Sequence, residues 1–419
     1  MKRHRPVGFV GLLLASAVLL GRGTLAADGL ALRHPVLLGT ALAGGVAAPV
    51  EVARLRRTDA LSLAPDDAAD ALALVAAAAL TYSLSVDAGL GPVVASAAVG
   101  LLAGVTLPRV DSAAYCGSFV GMVSPTVFDL DLVIAAGVIA AGLFVAARGA
   151  FDGLGGKLGT TALFGCLVVV VGTGAHPTAG SPPPWGEAVL IVPVAAVAAA
   201  ATVALGVRIG LGAVVASAGV GLVAGLSFPA VLPGVGEQLA AAAFCASFVG
   251  MVAPARLDGE RRVAAAGALS GAVFVAVSPA LAGVGGKLGT TAFVSCLAVV
   301  GAVEAAERLS GWGDRHRLSA GPPPRTVSER IEGEVIHAIP PEEVGEHDLE
   351  PELRSLAVGK HVLVCRRGGH PSVFELAWAM LRRRPIQPVT LVTDHAAAEG
   401  DAVDVTVEET SIAGVYREL

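Results

Sequence analysis

Two lysines pose the chemical question. Gly153-Leu-Gly-Gly-Lys-Leu-Gly-Thr-Thr-Ala returns, with one apolar exchange, as Gly283-Val-Gly-Gly-Lys-Leu-Gly-Thr-Thr-Ala. Lys157 and Lys287 therefore hold the same place in two copies of one motif, in a chain with four lysines in all. Each motif leads into an apolar run, and a lysine at the centre of a membrane helix costs about 2.5–3.5 kcal/mol on insertion scales. A costly residue that is present twice calls for a reason.

The neighbours suggest one. Gly155 and Gly156, like Gly285 and Gly286, permit backbone shapes that a spanning helix does not adopt. Irregular backbone at membrane depth is tolerated where it is buried in protein or lines a watery cavity. Helix resumes after each lysine, through Thr160-Thr161 and Thr290-Thr291. Free backbone N–H groups, the positive end of a helix dipole, an ammonium group and two hydroxyls then converge, which suits an anion. The expected ligand is a small anionic or polar solute, held by Lys157, Thr160, Thr161, Lys287, Thr290 and Thr291 and hinged on the paired glycines. Ser118 and Ser247, beside Met122 and Met251 in a second repeated stretch, are further lining candidates. Helix packing, with serine bonded back to the preceding turn, explains those serines equally well.

Other chemistries do not fit. A phosphate-binding P-loop needs Ser or Thr directly after its lysine and a strand before it. No HExxH and no carboxylate pair stands in the apolar runs, and Asp152 has Ala282 as its counterpart. No catalytic residue, metal ligand or cofactor is expected, and the chain does not read as an enzyme. The five cysteines, two pairs of them at matched positions, read as small buried hydrophobes.

The elements that must position the lysines are membrane helices. The 419 residues are 54% hydrophobic and 15% charged, with mean hydropathy +0.72, against about 25% charged in soluble domains. The net charge of −6 comes largely from the polar tail and does not point to nucleic acid. Lipid and a small solute are the expected partners, with self-association into a homo-oligomer as a further one.

Residues 1–67 hold two leading apolar runs. The first, Val7–Leu20, follows a basic start and reads as a span or as a signal peptide with Ala26-Ala27 at its cleavage site. The second ends in Glu51-Val-Ala-Arg-Leu-Arg-Arg57, a basic loop expected in the cytoplasm. Arg22 and Arg33 fall on the outer side in this scheme and fit it least.

Two related units follow, at 68–172 and 188–303, joined by the lysine- and arginine-free linker 173–187. Val93-Val-Ala-Ser-Ala-Ala-Val-Gly matches Val214-Val-Ala-Ser-Ala-Gly-Val-Gly, and Ser118-Phe-Val-Gly-Met-Val is repeated at Ser247. Each unit has about five apolar segments, the third short and interrupted, able to cross or to dip in and return. Loop charge favours crossing. Asp87 answers to Arg208, Arg109 to Glu237, Asp129 and Asp131 to Arg256, Arg261 and Arg262, and Arg148 to Ser278-Pro279. Lys and Arg mark the cytoplasmic side, so the alternation predicts two inverted five-span units. About twelve crossings result, in a multi-pass cell-membrane protein with both termini cytoplasmic. Lys287 then opens its helix from the outer side, where snorkelling to a cytoplasmic surface cannot explain it.

Residues 304–330 form a charged, Pro-rich linker, and 331–419 a small cytoplasmic α/β domain. Strands are expected at Glu334–Ala338, His361–Cys365 and Val389–Thr393, with helices near Glu350–Ala357 and over Ser372–Arg384. Strand, glycine turn, helix, strand and acid follow the layout of half a dinucleotide-binding fold, although Arg366-Arg-Gly-Gly-His lacks the glycine fingerprint. Gly368, Gly369, His370 and Asp394 are the candidate tail ligand site, with a nucleotide as candidate ligand and a regulatory role expected. The whole is an all-α polytopic membrane protein with that tail. The competing reading is a membrane scaffold or assembly subunit whose function resides in the tail.

Overall fold

A computed structural model describes residues 5–25, 33–57, 66–178, 180, 185–257, 259–317, 329–342, 344, 353, 356–357, 359–367, 389–398, 400–409 and 415–418. It forms two compact units, Met1–Asp314 and Arg315–Leu419. Ala26-Ala27, the expected helix over Ser372–Arg384, and Gly368, Gly369 and His370 lie outside the described residues, as does most of the expected helix at Glu350–Ala357.

The first unit is helical. Its elements are α1 (Arg5–Leu25), α2 (Arg33–Arg57), α3 (Asp66–Val86), α4 (Pro92–Thr106), α5 (Asp111–Val120), α6 (Leu130–Ala146) and α7 (Lys157–Thr173). Then come α8 (Trp185–Val203), α9 (Ala213–Val231), α10 (Gly236–Val249), α11 (Glu260–Val277) and α12 (Lys287–Arg317). A π-helical turn, Ala204–Arg208, extends α8. Among the described residues, six helices are long and apolar enough to cross a membrane: α1, α2, α3, α8, α9 and the first twenty residues of α12. Leucines and valines on their outward faces are exposed, Leu42, Leu72, Val197 and Val223 among them. Bare apolar faces of this extent are what lipid covers.

The two halves of this unit pack alike. α3 lies on α5 and α6 as α8 lies on α10 and α11, and α4 meets α9 between them. Leading helix α1 is part of the core: Leu12, Ala15 and Leu19 are fully buried, and Phe9 stacks on Phe151 at 4.6 Å.

The short interrupted segment does not turn back. Gly117 of α5 faces the Leu74 carbonyl, Gly121 faces that of Ala78, and the Phe128 carbonyl accepts the Tyr82 hydroxyl at 2.8 Å. The chain therefore follows α3 in one direction, first as helix and then through turns at Gly121–Met122 and Pro125–Val127. Asp129 starts α6 by accepting from Leu132 N–H at 3.0 Å, a helix cap that satisfies one orphan donor.

The second unit is a closed five-stranded barrel of β1 (Glu329–Ile339), β2 (His361–Arg367), β3 (Val389–Thr393), β4 (Ala402–Glu409) and β5 (Val415–Glu418). The order is β1-β2-β3-β5-β4, closing back onto β1. Val335, Leu363, Cys365, Leu391, Val403 and Val407 fill its core.

The dinucleotide-type layout is not what forms. β2 and β3 pair antiparallel, with Leu363 opposite Leu391, whereas that layout requires parallel strands around a crossover helix. A run of buried valines and leucines marks a strand without recording its direction. The connection between these strands is long enough for either. β4 was missed, although Val403, Val405 and Val407 alternate with Asp404 and Thr406 in the period-2 pattern of a half-buried strand.

Candidate functional site

The glycine-lysine motifs sit at the start of α7 and α12, each preceded by a tight loop. Phe151 and Leu281, equivalent in the two loops, adopt φ of 54° and 51°. A left-handed conformation at a non-glycine residue costs about 1–3 kcal/mol and persists where surrounding packing overdetermines it. Phe151 is indeed held between Phe9 and Phe293, the latter at 5.2 Å. The strain occurs in both loops although the side chains differ.

Each loop is received by the other half of the unit. The amide of Ala253, just beyond α10, donates to the Gly153 carbonyl at 2.8 Å, and that of Ser124, just beyond α5, donates to Gly283 at 2.8 Å. Gly155 packs on Cys296 and the Phe248 carbonyl, while Gly285 packs on Cys166 and the Val120 carbonyl. Gly156 and Gly286, both at φ 81°, cap the two helices. A Cβ at Gly156 would overlap Gly289 and Phe293, and one at Gly286 would overlap Gly159 and Leu163. Only glycine meets both demands here. The helix starts thus cross backbone to backbone at Gly159 and Gly289.

The expected solute residues divide into two groups. Thr160 and Thr161 donate back one turn, to Gly156 O at 3.2 Å and Lys157 O at 3.1 Å. Thr290 and Thr291 do the same to Gly286 O and Lys287 O, both at 3.0 Å. All four are buried, each with an oxygen still able to accept. The first intrahelical bonds are Thr160 N–H to Gly156 O and Thr290 N–H to Gly286 O, so the amides before them have no intrahelical acceptor. Lys157 is ion-paired with Asp152. Lys287 donates to the Ser278 carbonyl at 2.8 Å.

Each lysine faces its own cavity. Lys157 and Thr161 line one of about 600 Å³, together with Asp70, Arg109, Asp111, Arg148, Asp152 and Met251. Arg148 is ion-paired there with Asp67 and Asp70. Lys287 lines a second cavity of about 200 Å³, with Pro92, Met122, Gly283 and Gly286, and is the one charged residue among its lining. Pro92 opens α4 and Arg109 follows its end, so the cavities reach opposite ends of that helix. Phe119 and Phe248 line both.

Ser118 and Ser247 belong to helix packing. Ser118 Oγ bonds Ser96 Oγ at 2.9 Å and donates to Tyr115 O at 2.8 Å. Ser247 pairs with Ser217 at 2.8 Å and donates to Phe244 O at 2.7 Å. Tyr115 OH reaches across to Ser217 at 3.0 Å. The five cysteines are free and buried, and the thiols of Cys116 and Cys245 donate to the first-turn carbonyls of Leu158 and Leu288.

Sequence reasoning passed over Phe119 and Phe248, although the identical Ser-Phe-Val-Gly-Met-Val stretches contained them. It also missed the ion pair of Arg256 with Glu51, whose side chains are 5% and 2% exposed. Nothing local connects residues so far apart in the chain.

In the barrel, Asp394 is exposed and ion-paired with Lys360 at 2.9 Å. Next to it, His395 Nδ1 lies 3.1 Å from a Glu418 carboxylate oxygen. That hydrogen bond and the adjacent negative charge raise the imidazole pKa above its ordinary value. Among the described residues, no three His, Cys, Asp or Glu side chains are grouped so as to hold a metal ion.

Residues 329–416 match a family of unknown function (DUF7526). No curated protein and no solved structure is detectably similar to the chain.

Proposed function

We propose that the helical unit is a transporter or channel for a small anionic or polar solute, built from two inverted five-span repeats after two leading spans. The observation that carries this reading is the reciprocal crossing of the two glycine-lysine loops, each seated in the opposite half and each presenting its lysine to a separate cavity. Interrupted segments at corresponding places in inverted halves are where transporters of this architecture hold their solutes.

Ion pairs support the inversion. Glu51 meets Arg256, Asp67 and Asp70 meet Arg148, and Glu260 meets Arg208 at 2.7 Å. Each contact joins segments that loop charge assigns to the same, cytoplasmic side. The helical unit then sits in the cell membrane with its amino terminus and the barrel in the cytoplasm, and the barrel serves regulation.

Reconstitution tests the solute site. Lys157→Met and Lys287→Met should each weaken uptake of small anions by proteoliposomes about ten- to a hundredfold in apparent affinity, from the ~1.5–3 kcal/mol of a hydrogen bond to a charged group. The opposing reading, a scaffold whose function resides in the barrel, draws on the bonds of Lys157 to Asp152 and of Lys287 to Ser278 O, which would make the lysines loop staples. Unchanged flux in both variants would decide for the scaffold.

A further inference from the structure

We propose that Phe119 and Phe248 form the barrier between the two cavities, and that their separation is the step by which a solute passes from one to the other; this rests on the transport reading above. Both rings line both cavities. Their centroids are 4.7 Å apart, and the side chains are 2% and 1% exposed. They are also equivalent residues of the repeated Ser-Phe-Val-Gly-Met-Val stretch, so each half contributes one. The methionine three residues beyond each ring divides accordingly: Met122 lines the smaller cavity and Met251 the larger.

Among the surrounding rings Tyr115 is anchored by a hydrogen bond, whereas the pair itself is not. Tyr115 packs on Phe119 at 4.5 Å and Phe244 on Phe248 at 4.6 Å. The Tyr115 hydroxyl is tied to Ser217. Phe119 and Phe248 have no polar atom to anchor them, and contact between rings is non-directional enough to be broken and remade. Both sit at the last turn of a short helix, next to Gly121 and Gly250, where the regular helix ends in a turn. A small tilt of either helix end would part the rings. An apolar pair in this position also sets what can pass, because a solute has to shed water to go between the rings.

The full-length protein in sealed liposomes provides the test. Met122→Cys and Met251→Cys, introduced singly, are probed from each face with a small, charged, membrane-impermeant methanethiosulfonate. The native thiols are all buried, and the parent protein gives the background. The expected result is modification of Met122→Cys from one face and of Met251→Cys from the other. Adding Phe119→Ala with Phe248→Ala should abolish that sidedness at both positions, while Phe119→Leu with Phe248→Leu should retain it. Should the double alanine variant not fold, Phe119→Ala or Phe248→Ala alone supplies the comparison, with partial loss of sidedness expected. Labelling of both cysteines from the same face overturns the proposal, as does sidedness that survives removal of the rings in a folded protein. Flux through the wild type with sidedness unaltered by alanine counts against the barrier alone. Sidedness lost on alanine substitution, with no small anion carried by the wild type, upholds the partition and counts against transport.

Discussion

The four threonines after the lysines have the same local habit, a hydroxyl bonded one turn back to the carbonyl of Gly156, Lys157, Gly286 or Lys287. That bond uses the hydroxyl proton and leaves only acceptor lone pairs, to which a proton-free anion has nothing to donate. Among the site's side chains, the lysines are therefore the residues whose loss should be felt by an anionic solute. In the barrel, His395 offers a residue-scale measurement independent of transport. Its pKa is raised by Glu418, so the pairing contributes stability that is complete below the ordinary imidazole pKa of about 6.5 and is lost as pH rises through the raised folded value. Glu418→Gln should bring the His395 titration down toward that ordinary value, read by NMR of imidazole-labelled protein. An unmoved titration would mean that the carboxylate is not its partner in solution.

At the scale of elements, the structure turns on how α7 and α12 begin. Each starts at a left-handed glycine that also touches the other helix, so the cap fixes the local backbone and the crossing together. Gly286→Ala should therefore destabilise the detergent-solubilised protein by at least the roughly 1–3 kcal/mol of a strained backbone residue, since the added Cβ also meets Leu163 and Gly159. Gly89→Ala is the control: Gly89 has φ of 70° but open space around it. Thermal unfolding midpoints should rank Gly286→Ala below Gly89→Ala. Equal midpoints would mean that the helix crossing contributes nothing beyond the turn. The interrupted third segment carries a parallel lesson. Its ten-residue helix is too short to span alone, and the turns after it keep contact with α3 as far as Phe128.

For the whole molecule the inversion is the claim with the widest consequences. Asp131 and Arg261, both exposed, stand at the starts of α6 and α11. Single cysteines there should be labelled by an impermeant maleimide from opposite faces, Asp131→Cys from outside and Arg261→Cys from inside. Labelling from one face would make the halves parallel and remove the basis of the carrier reading. Arg256 is a poor reporter of sidedness because its side chain is buried against Glu51.

Much of this was already present in the order of the residues. Long apolar runs dictate helices suited to lipid, decapeptides alike but for one apolar exchange announce a duplicated chemical feature, and glycines before each lysine announce a break in the helix. All of these are local, because hydrophobicity, loss of Cβ and helix capping act over a turn or two of chain. Contacts between distant segments decided the rest: that each loop is seated in the other half, that Phe119 meets Phe248 between two cavities, that Arg256 finds Glu51, and that β2 and β3 run antiparallel in a closed barrel. Such pairings depend on which surfaces fit once every helix and strand is in place. Residues far apart in the chain carry no local mark of the neighbours they will meet.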